Sequence, residues 1–207
     1  RKIASAADWE VRRQHVLSSL QQVMGQLPGE SSRVPLDIKV LEEKTEGKII
    51  RRKLSFQSDP FDRVTAWLLI PIEAKEKKKP AILCLHQTFG QGKDEPVGIA
   101  GSENLHYAQE LTERGHVTLS LDYPSFGEHP YDFKQPEYAS GSMKAVWDNL
   151  RAVDWLSSLP EVDAERIWVI GHSLGGHNAP FPAPFAPALQ LFVSRCGFTR
   201  LLPDALP

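Results

Sequence analysis

The sequence predicts an α/β fold, with a mostly parallel sheet that carries helices on both faces. Three observations indicate this class. After Pro80, short apolar runs alternate with longer segments whose apolar residues have helical spacing. The apolar runs do not alternate with polar residues, which is typical of parallel strands buried on both faces. Before Pro80 the apolar residues do alternate, so we expect an antiparallel lead-in to the sheet.

The predicted elements follow one another without an internal repeat. We interpret residues 1–30 as an N-terminal helical extension and residues 31–207 as part of one α/β domain. In chain order we expect an outer helix over Asp8–Met24, two or three antiparallel strands between Pro35 and Ile72 with turns at Glu46-Gly47 and Asp59-Pro60, strand Ala81–Leu85, helix Glu103–Arg114, strand Val117–Leu121, helix Ser140–Leu159, strand Ile167–Ile170 and strand Leu189–Val193.

The composition is that of an ordinary globular protein, and it excludes several functional classes. The 207 residues, 41% of them hydrophobic, suffice for one domain with a sizeable core. Because 24 Lys and Arg residues nearly balance 26 Asp and Glu residues, we expect no nucleic-acid partner. The longest apolar runs, Thr65–Ile72 and Ala81–Leu85, are far shorter than the roughly 20 residues of a membrane span.

The first residue and the two cysteines decide less. The chain opens on Arg1 rather than Met, which is expected of a processed or trimmed chain and leaves the cellular compartment open. Cys84 and Cys196 each lie in an apolar run, and we interpret them as buried free thiols rather than as a disulfide. Two cysteines do not make a structural zinc cluster, so we expect no metal.

One motif carries the chemistry. Directly after the strand Ile167–Ile170 comes Gly171-His172-Ser173-Leu174-Gly175, the pattern G-x-S-x-G in the strand-to-helix context of a nucleophile elbow. A chain that turns this sharply forces the serine into a strained conformation, and small residues at 171 and 175 avoid clashes across the turn. The alternative interpretation is a tight turn without chemistry. We expect His172 to be a packing residue whose side chain points away from Ser173.

A serine nucleophile also needs hydrogen-bond donors for the oxyanion. In this kind of turn they are the N–H of the residue after the nucleophile, here Leu174, and an N–H in the loop after an earlier strand. For the second donor of this oxyanion hole the sequence favours Thr88, with Gln87 as the alternative. His86 is expected to brace that loop by hydrogen bonding. The segment Gly90–Asp94 lacks the spacing of a phosphate-binding loop, so we expect no nucleotide cofactor.

Three segments together resemble a known family. GHSLGG around Ser173, HQTFG at residues 86–90 and LDYPSFG at residues 121–127 resemble the α/β-hydrolase superfamily, most of all its dienelactone hydrolase and acetyl xylan esterase-like branch. The likeness runs from about Pro80 to Thr199. It implies a serine hydrolase without cofactor, a carboxylic ester hydrolase that acts on small acyl esters such as acetylated carbohydrates through an acyl-enzyme on Ser173.

The chain departs from this family pattern in its last part. In the family fold the acid and then the histidine of the triad follow the serine in the sequence. The residues after Ser173 contain one carboxylate, Asp204, and one histidine, His177, which lies just past the turn. We therefore expect a partial domain whose catalytic acid and histidine lie beyond Pro207. Among the earlier histidines, His129 is the least unsuitable alternative base.

Two further alternatives and one local expectation stay open. The chain could be a hydrolase-fold remnant or binding module without catalysis, or a serine peptidase on the same fold. Its oligomeric state is not encoded in these patterns. Pro180, Pro182, Pro184 and Pro187 interrupt the helix that the family places after the serine, so we expect this helix to stop near Ala179.

Overall fold

A computed structural model describes residues 3–134 and 137–197, which form seven strands and four α-helices. Their bounds agree with the predicted elements to within a few residues, except where noted below. In chain order they are α1 Ala6–Met24, β1 Lys39–Glu46, β2 Ile49–Gln57, β3 Arg63–Pro71, β4 Lys79–Leu85, α2 Tyr107–Glu113, β5 Val117–Leu121, α3 Gly141–Ser158, β6 Val162–His172, α4 Leu174–Asn178 and β7 Leu189–Arg195.

The strands of the described residues form one sheet in the order β1-β2-β3-β5-β4-β6-β7. β1, β2, β3 and β5 pair antiparallel in succession, whereas β5, β4, β6 and β7 run parallel. The predicted α/β class with an antiparallel lead-in is therefore confirmed. Because the four parallel strands point the same way, their carboxyl ends lie along one edge, which we call the carboxyl edge.

The core lies on both faces of the central strands. In β4, Ala81 and Leu83 belong to the larger apolar cluster, which includes much of α3. Ile82 and Cys84 point to the opposite face and pack in a smaller cluster with Ala108 of α2. This alternation between two apolar faces explains why β4 reads as a continuous hydrophobic run in the sequence.

Helix α1 lies on the outside of the domain, as predicted. None of its residues is buried, and it begins at Ser5, whose side chain accepts the N–H of Asp8 at 3.1 Å. Its last residue is tied to the start of α3, since the Ser140 hydroxyl donates to the Met24 carbonyl at 2.6 Å. Within the described residues, no helix is both long and apolar enough to cross a bilayer.

Strand β7 is present where it was predicted, over Leu189–Val193, but its side chains are less buried than those of the other parallel strands. Among the described residues β7 pairs only with β6, and it forms one edge of the sheet that these residues build. As a result three of its apolar side chains, Leu191, Phe192 and Val193, are between 43% and 51% exposed instead of buried on both faces. Cys196, just past the strand, is an exposed free thiol, whereas Cys84 is buried as expected.

The helix predicted over Glu103–Arg114 is interrupted. Glu103–Leu105 forms one 3-10 turn, and α2 begins only at Tyr107. His106, between them, has a non-helical ψ of 41°, and its ring contacts the Ala100 carbonyl at 3.1 Å. The break in the helix coincides with this contact between the His106 ring and the preceding loop. The spacing of apolar residues does not predict such a contact.

Candidate active site

Ser173 lies at the junction of β6 and α4, on the carboxyl edge. Its φ is 52° and its ψ is −112°, a left-handed conformation that side-chain-bearing residues adopt at a cost. Two backbone hydrogen bonds hold it there. The Ser173 N–H donates to the Arg195 carbonyl at 2.9 Å, and its carbonyl accepts the N–H of His177 at 2.8 Å. The strand, turn and helix thus stand in the predicted order around a partly exposed serine.

The glycines at 171 and 175 allow this turn to close against its neighbours. A Cβ on Gly175 would overlap the carbonyl oxygen of Leu85 at the end of β4. A Cβ on Gly171 would overlap the backbone of Gly175 itself. No side chain fits at either place. Because Gly171 and Gly175 have no side chains, α4 packs directly against the backbone at the end of β4.

Residues 86–94, which we call the β4 loop, start at that point of contact. His86 is fully buried, donates from Nδ1 to the Gln87 carbonyl at 2.6 Å and accepts the Tyr123 N–H on Nε2 at 3.2 Å. Its ring also packs on those of Tyr123 and Phe126, with centroids 4.8 and 5.4 Å away. Burial lowers the pKa of His86, so the ring stays neutral, in keeping with an Nε2 that accepts.

The predicted oxyanion donors lie on these adjoining segments. Leu174 is the first residue of α4, so its N–H has no acceptor within the helix. Thr88 is exposed in the β4 loop, while the Gln87 side chain donates to Glu95 at 3.1 Å. In the described part of the chain, the N–H groups of Leu174, Thr88 and Gln87 make no backbone hydrogen bond. All three remain available as donors to an anion.

A buried ion pair that the sequence did not suggest lies beneath the β4 loop. Asp122, just after β5, accepts the Lys93 ammonium at 2.6 Å, and both side chains are fully buried. Burial lowers the pKa of Lys93, but the charge of Asp122 and the hydrogen bonds to Asp122 and Glu128 raise it by more. The pKa of Lys93 therefore lies above its ordinary value. The sequence signal was the Asp of the LDYPSFG segment. This segment belongs to the family resemblance, and Lys93 lies in the segment Gly90–Asp94, which lacks the spacing of a phosphate-binding loop.

His129, the alternative base, is engaged elsewhere. It is buried, with Nε2 at 2.7 Å from a carboxylate oxygen of Asp62 and Nδ1 at 3.3 Å from the Asp122 carbonyl. Burial lowers its pKa, but Asp62 and Asp148 raise it overall. An imidazole that donates from both nitrogens cannot take a proton from Ser173, so the geometry does not support this role.

The carboxylates of Asp62 and Asp148 and the ring of His129 come within 4.8 Å of one another, close enough to hold a metal ion. The Lys144 ammonium already lies between them, 2.5 Å from each carboxylate. These residues therefore form a buried cluster around their own cation, which we call the Lys144 cluster.

Of the other sequence candidates, His172 is half-buried, and its Nδ1 has no partner among the described residues. His177 is exposed, and its ring packs edge-on against Phe181 at 5.0 Å. Asp204 falls outside the described residues. Helix α4 ends at Asn178 with Ala179 as its C-cap, which confirms the predicted stop near Ala179.

Two concave surfaces adjoin α4. A small cavity of about 150 Å³ is lined by Leu174, Asn178 and the aromatic rings of Tyr123, Phe126 and Phe133. A larger, mostly apolar groove of about 620 Å³ lies between α1 and α4, where Val16, Leu20, His177 and Phe181 contribute to its walls. Ser142 borders both. The smaller cavity is the one next to a predicted oxyanion donor.

Solved structures of other proteins share this architecture. A "putative acetyl xylan esterase" (BF1801) from Bacteroides fragilis NCTC 9343 superposes with a TM-score of 0.75 at 18% identity, over 91% of this chain and 54% of that protein. The glucuronoyl esterase from Solibacter usitatus gives a TM-score of 0.69 at 18% identity, over 94% of this chain and 60% of that protein. The chain has the α/β-hydrolase fold. The fold-level resemblance stated from the sequence is confirmed.

A curated relative points the same way. The protein named "Putative hydrolase YtaP" from Bacillus subtilis (strain 168) is 27% identical over 190 residues, which are 86% of this α/β-hydrolase-fold chain and 62% of that protein. No protein-family model matches the chain. The chain spans less than two thirds of the length of each of these three relatives.

Proposed function

We propose that this protein is a carboxylic ester hydrolase in which Ser173 is the nucleophile and forms an acyl-enzyme. One observation carries the proposal. Ser173 is held at a positive φ between β6 and α4, on the carboxyl edge, where α/β proteins bind their ligands. A strained and partly exposed serine at this position is what nucleophilic catalysis requires. The esterase and hydrolase names of the relatives agree with this chemistry.

The proposed reaction uses groups on two segments. The Ser173 oxygen attacks the ester carbonyl carbon, and the N–H groups of Leu174 and Thr88 receive the negative charge of the tetrahedral intermediate. Gln87 is the alternative to Thr88. A single such donor contributes about 2.7–4 kcal/mol to transition-state stabilisation. Collapse of the intermediate breaks the bond to the alcohol oxygen, which takes up the proton that Ser173 lost, and leaves the acyl group on Ser173. Water then adds to the acyl carbon and releases the acid.

The serine needs a general base, and two of the described histidines are already committed. Both ring nitrogens of His86 form hydrogen bonds with backbone groups. His129 donates an N–H from each of its ring nitrogens, to the Asp62 carboxylate and the Asp122 carbonyl. We propose that an Asp or Glu and a His outside the described residues activate Ser173. The full-length gene product is therefore the right protein for every activity measurement below.

The cavity next to Leu174 indicates the substrate class. Its volume of about 150 Å³ equals that of about five water molecules in the liquid, enough for a short acyl chain. Its aromatic lining favours an apolar group. We propose short-chain acyl esters, and acetylated carbohydrates in particular, because acetyl xylan esterases are among the structural relatives.

Two measurements on the full-length gene product test the proposal. A fluorophosphonate probe should label Ser173, located by mass spectrometry of the labelled peptide. Hydrolysis of p-nitrophenyl acetate should fall by at least 1000-fold in Ser173→Ala. Ser157→Ala, in the last turn of α3, is the matched control and should keep the wild-type rate.

The possible outcomes separate the competing functions. If folded wild-type protein is neither labelled nor active, the esterase proposal is wrong and a non-catalytic binding scaffold is favoured. Cleavage of p-nitroacetanilide by the wild type that is lost in Ser173→Ala would instead favour a peptidase. Butyrate and octanoate esters, measured in the same assay, should be cleaved progressively more slowly than acetate if the small cavity binds the acyl group.

A further inference from the structure

We propose that Asp122 and Lys93 are positioning residues that set the β4 loop so that its Thr88 N–H faces the developing oxyanion. This inference rests on the proposed function. Neither side chain is exposed, so neither touches substrate. Their effect on the reaction would pass through the backbone of the β4 loop.

The donor segment is anchored at both of its ends to the loop after β5. At one end His86 accepts the N–H of Tyr123 at 3.2 Å. At the other end the Gly90 carbonyl accepts the N–H of Gly127 at 3.1 Å. Only residues 87–89 span the gap between these anchors, and Thr88 is the middle one. Its orientation therefore depends on how the two loops are held together.

Asp122 is the group that holds them together. Its carboxylate accepts the Lys93 N–H at 2.9 Å and the Glu128 N–H at 3.0 Å, one from each loop. It also accepts the Lys93 ammonium and the Thr65 hydroxyl, at 2.6 and 2.7 Å. Four donors on three segments of the chain thus converge on one carboxylate.

The backbone is shaped around this carboxylate. Gly92 and Gly127 both have positive φ, 53° and 54°, and a Cβ on either would overlap an Asp122 carboxylate oxygen. The two loops consequently approach the carboxylate more closely than side-chain-bearing residues allow. Such a convergent arrangement fixes the geometry of both loops at once.

Stability alone is a poor explanation for this ion pair. Buried ion pairs are often no more stabilising than apolar residues of the same volume, because desolvation offsets the attraction between the charges. A function in fixing backbone geometry accounts for the charges and for the four donors. The Lys93 ammonium also contacts Glu128 at 2.8 Å, which extends the same link to the surface.

The test compares Asp122→Asn and Lys93→Met with a matched exposed ion pair, changed as Asp163→Asn and Arg166→Met. In the full-length gene product, we expect kcat for p-nitrophenyl acetate to fall 10- to 100-fold in each buried-pair variant, with KM within threefold of wild type. Affinity for a trifluoromethyl ketone, whose hemiketal oxyanion mimics the intermediate, should fall in parallel with kcat/KM. The surface variants should match wild type in all three quantities.

Folding and catalysis are kept apart by two controls. Circular dichroism identifies the temperatures at which each variant is folded, and fluorophosphonate titration counts its reactive serines. An unchanged kcat in a folded buried-pair variant would overturn the inference, as would a lower kcat with unchanged ketone affinity. If wild-type protein is inactive and unlabelled at Ser173, the proposed function fails first and takes this inference with it.

Discussion

Two lysines are buried near the carboxyl edge of the sheet, and their surroundings differ. Lys93 faces Asp122, whose carboxylate is saturated by backbone and side-chain donors. Lys144 lies among Asp62, Asp148 and His129, and one carboxylate oxygen of Asp148 has no partner among the described residues. Two of the four donors to Asp122 are backbone N–H groups, whereas the groups around Lys144 are mostly charged side chains.

This difference separates two uses of buried charge. Backbone donors converging on one carboxylate fix the path of the chain, so the Asp122 pair is suited to hold a loop. Side-chain charges around Lys144 join the β2–β3 turn to α3 through Asp62 and Asp148. A cluster of that kind stabilises the fold while including a histidine whose pKa is raised by its acidic neighbours. The comparison can be tested by removing one member of each.

The largest effect on stability is expected from Lys144→Met. This change leaves Asp148 buried without its cation, and removing one partner of a buried ion pair costs about 3–5 kcal/mol. Urea denaturation followed by circular dichroism should show that loss in the free energy of unfolding. Lys53→Met, which removes a partly exposed lysine paired with Glu128, should cost less than about 1 kcal/mol. A loss of similar size in both variants would contradict the structure.

The next effect contrasts two carboxylates. Asp122→Asn replaces one acceptor oxygen by a donor amide opposite several donors, and we expect a cost of about 2–3 kcal/mol. Asp148→Asn should cost less than Asp122→Asn, because the Lys144 ammonium keeps Asp62 as a second carboxylate partner. Equal costs in the urea assay would remove the distinction drawn between the two sites.

The smallest effect is the pH dependence that His129 contributes. Its pKa is raised in the folded protein, so the protonated ring stabilises the fold. That stabilisation is complete below the ordinary histidine pKa of about 6.5 and is lost as pH rises through the higher folded value. The free energy of unfolding, measured by urea denaturation, should therefore decrease over this range, and His129→Asn should flatten that decrease. If the stability of the wild type instead rises with pH and that of His129→Asn does not, the protonated ring destabilises the fold and the prediction is wrong.

Local sequence patterns contained most of the fold. Val117–Leu121 is the predicted strand residue for residue, because a short apolar run between a glycine and a loop has few other solutions. The turn at Ser173 was predictable since its motif demands a strand before it and a helix after it. The exposure of β7 was not, because an apolar run does not reveal whether its strand lies at the centre or the edge of a sheet.

The buried charges were beyond the reach of local patterns for a different reason. Asp122 and Lys93 are 29 residues apart, and Lys144 contacts Ser58 across 86 residues. Each of these residues is also an ordinary surface type, so nothing in its immediate neighbours indicates burial. Only the strand order, which brings the loops after β4 and β5 side by side, makes the contacts possible.

The backbone conformation of Ser173 lowers the stability of the fold, while its hydroxyl is the group that the proposed reaction needs. A glycine at 173 would adopt a φ of 52° without the crowding that a Cβ creates, and would relieve on the order of 1 kcal/mol. The variant Ser173→Gly should thus melt at a higher temperature while losing the hydroxyl that the proposed reaction needs. Selection for thermal stability alone would therefore favour replacement of Ser173 by glycine. Engineering for a higher melting temperature has to keep residue 173 fixed as serine.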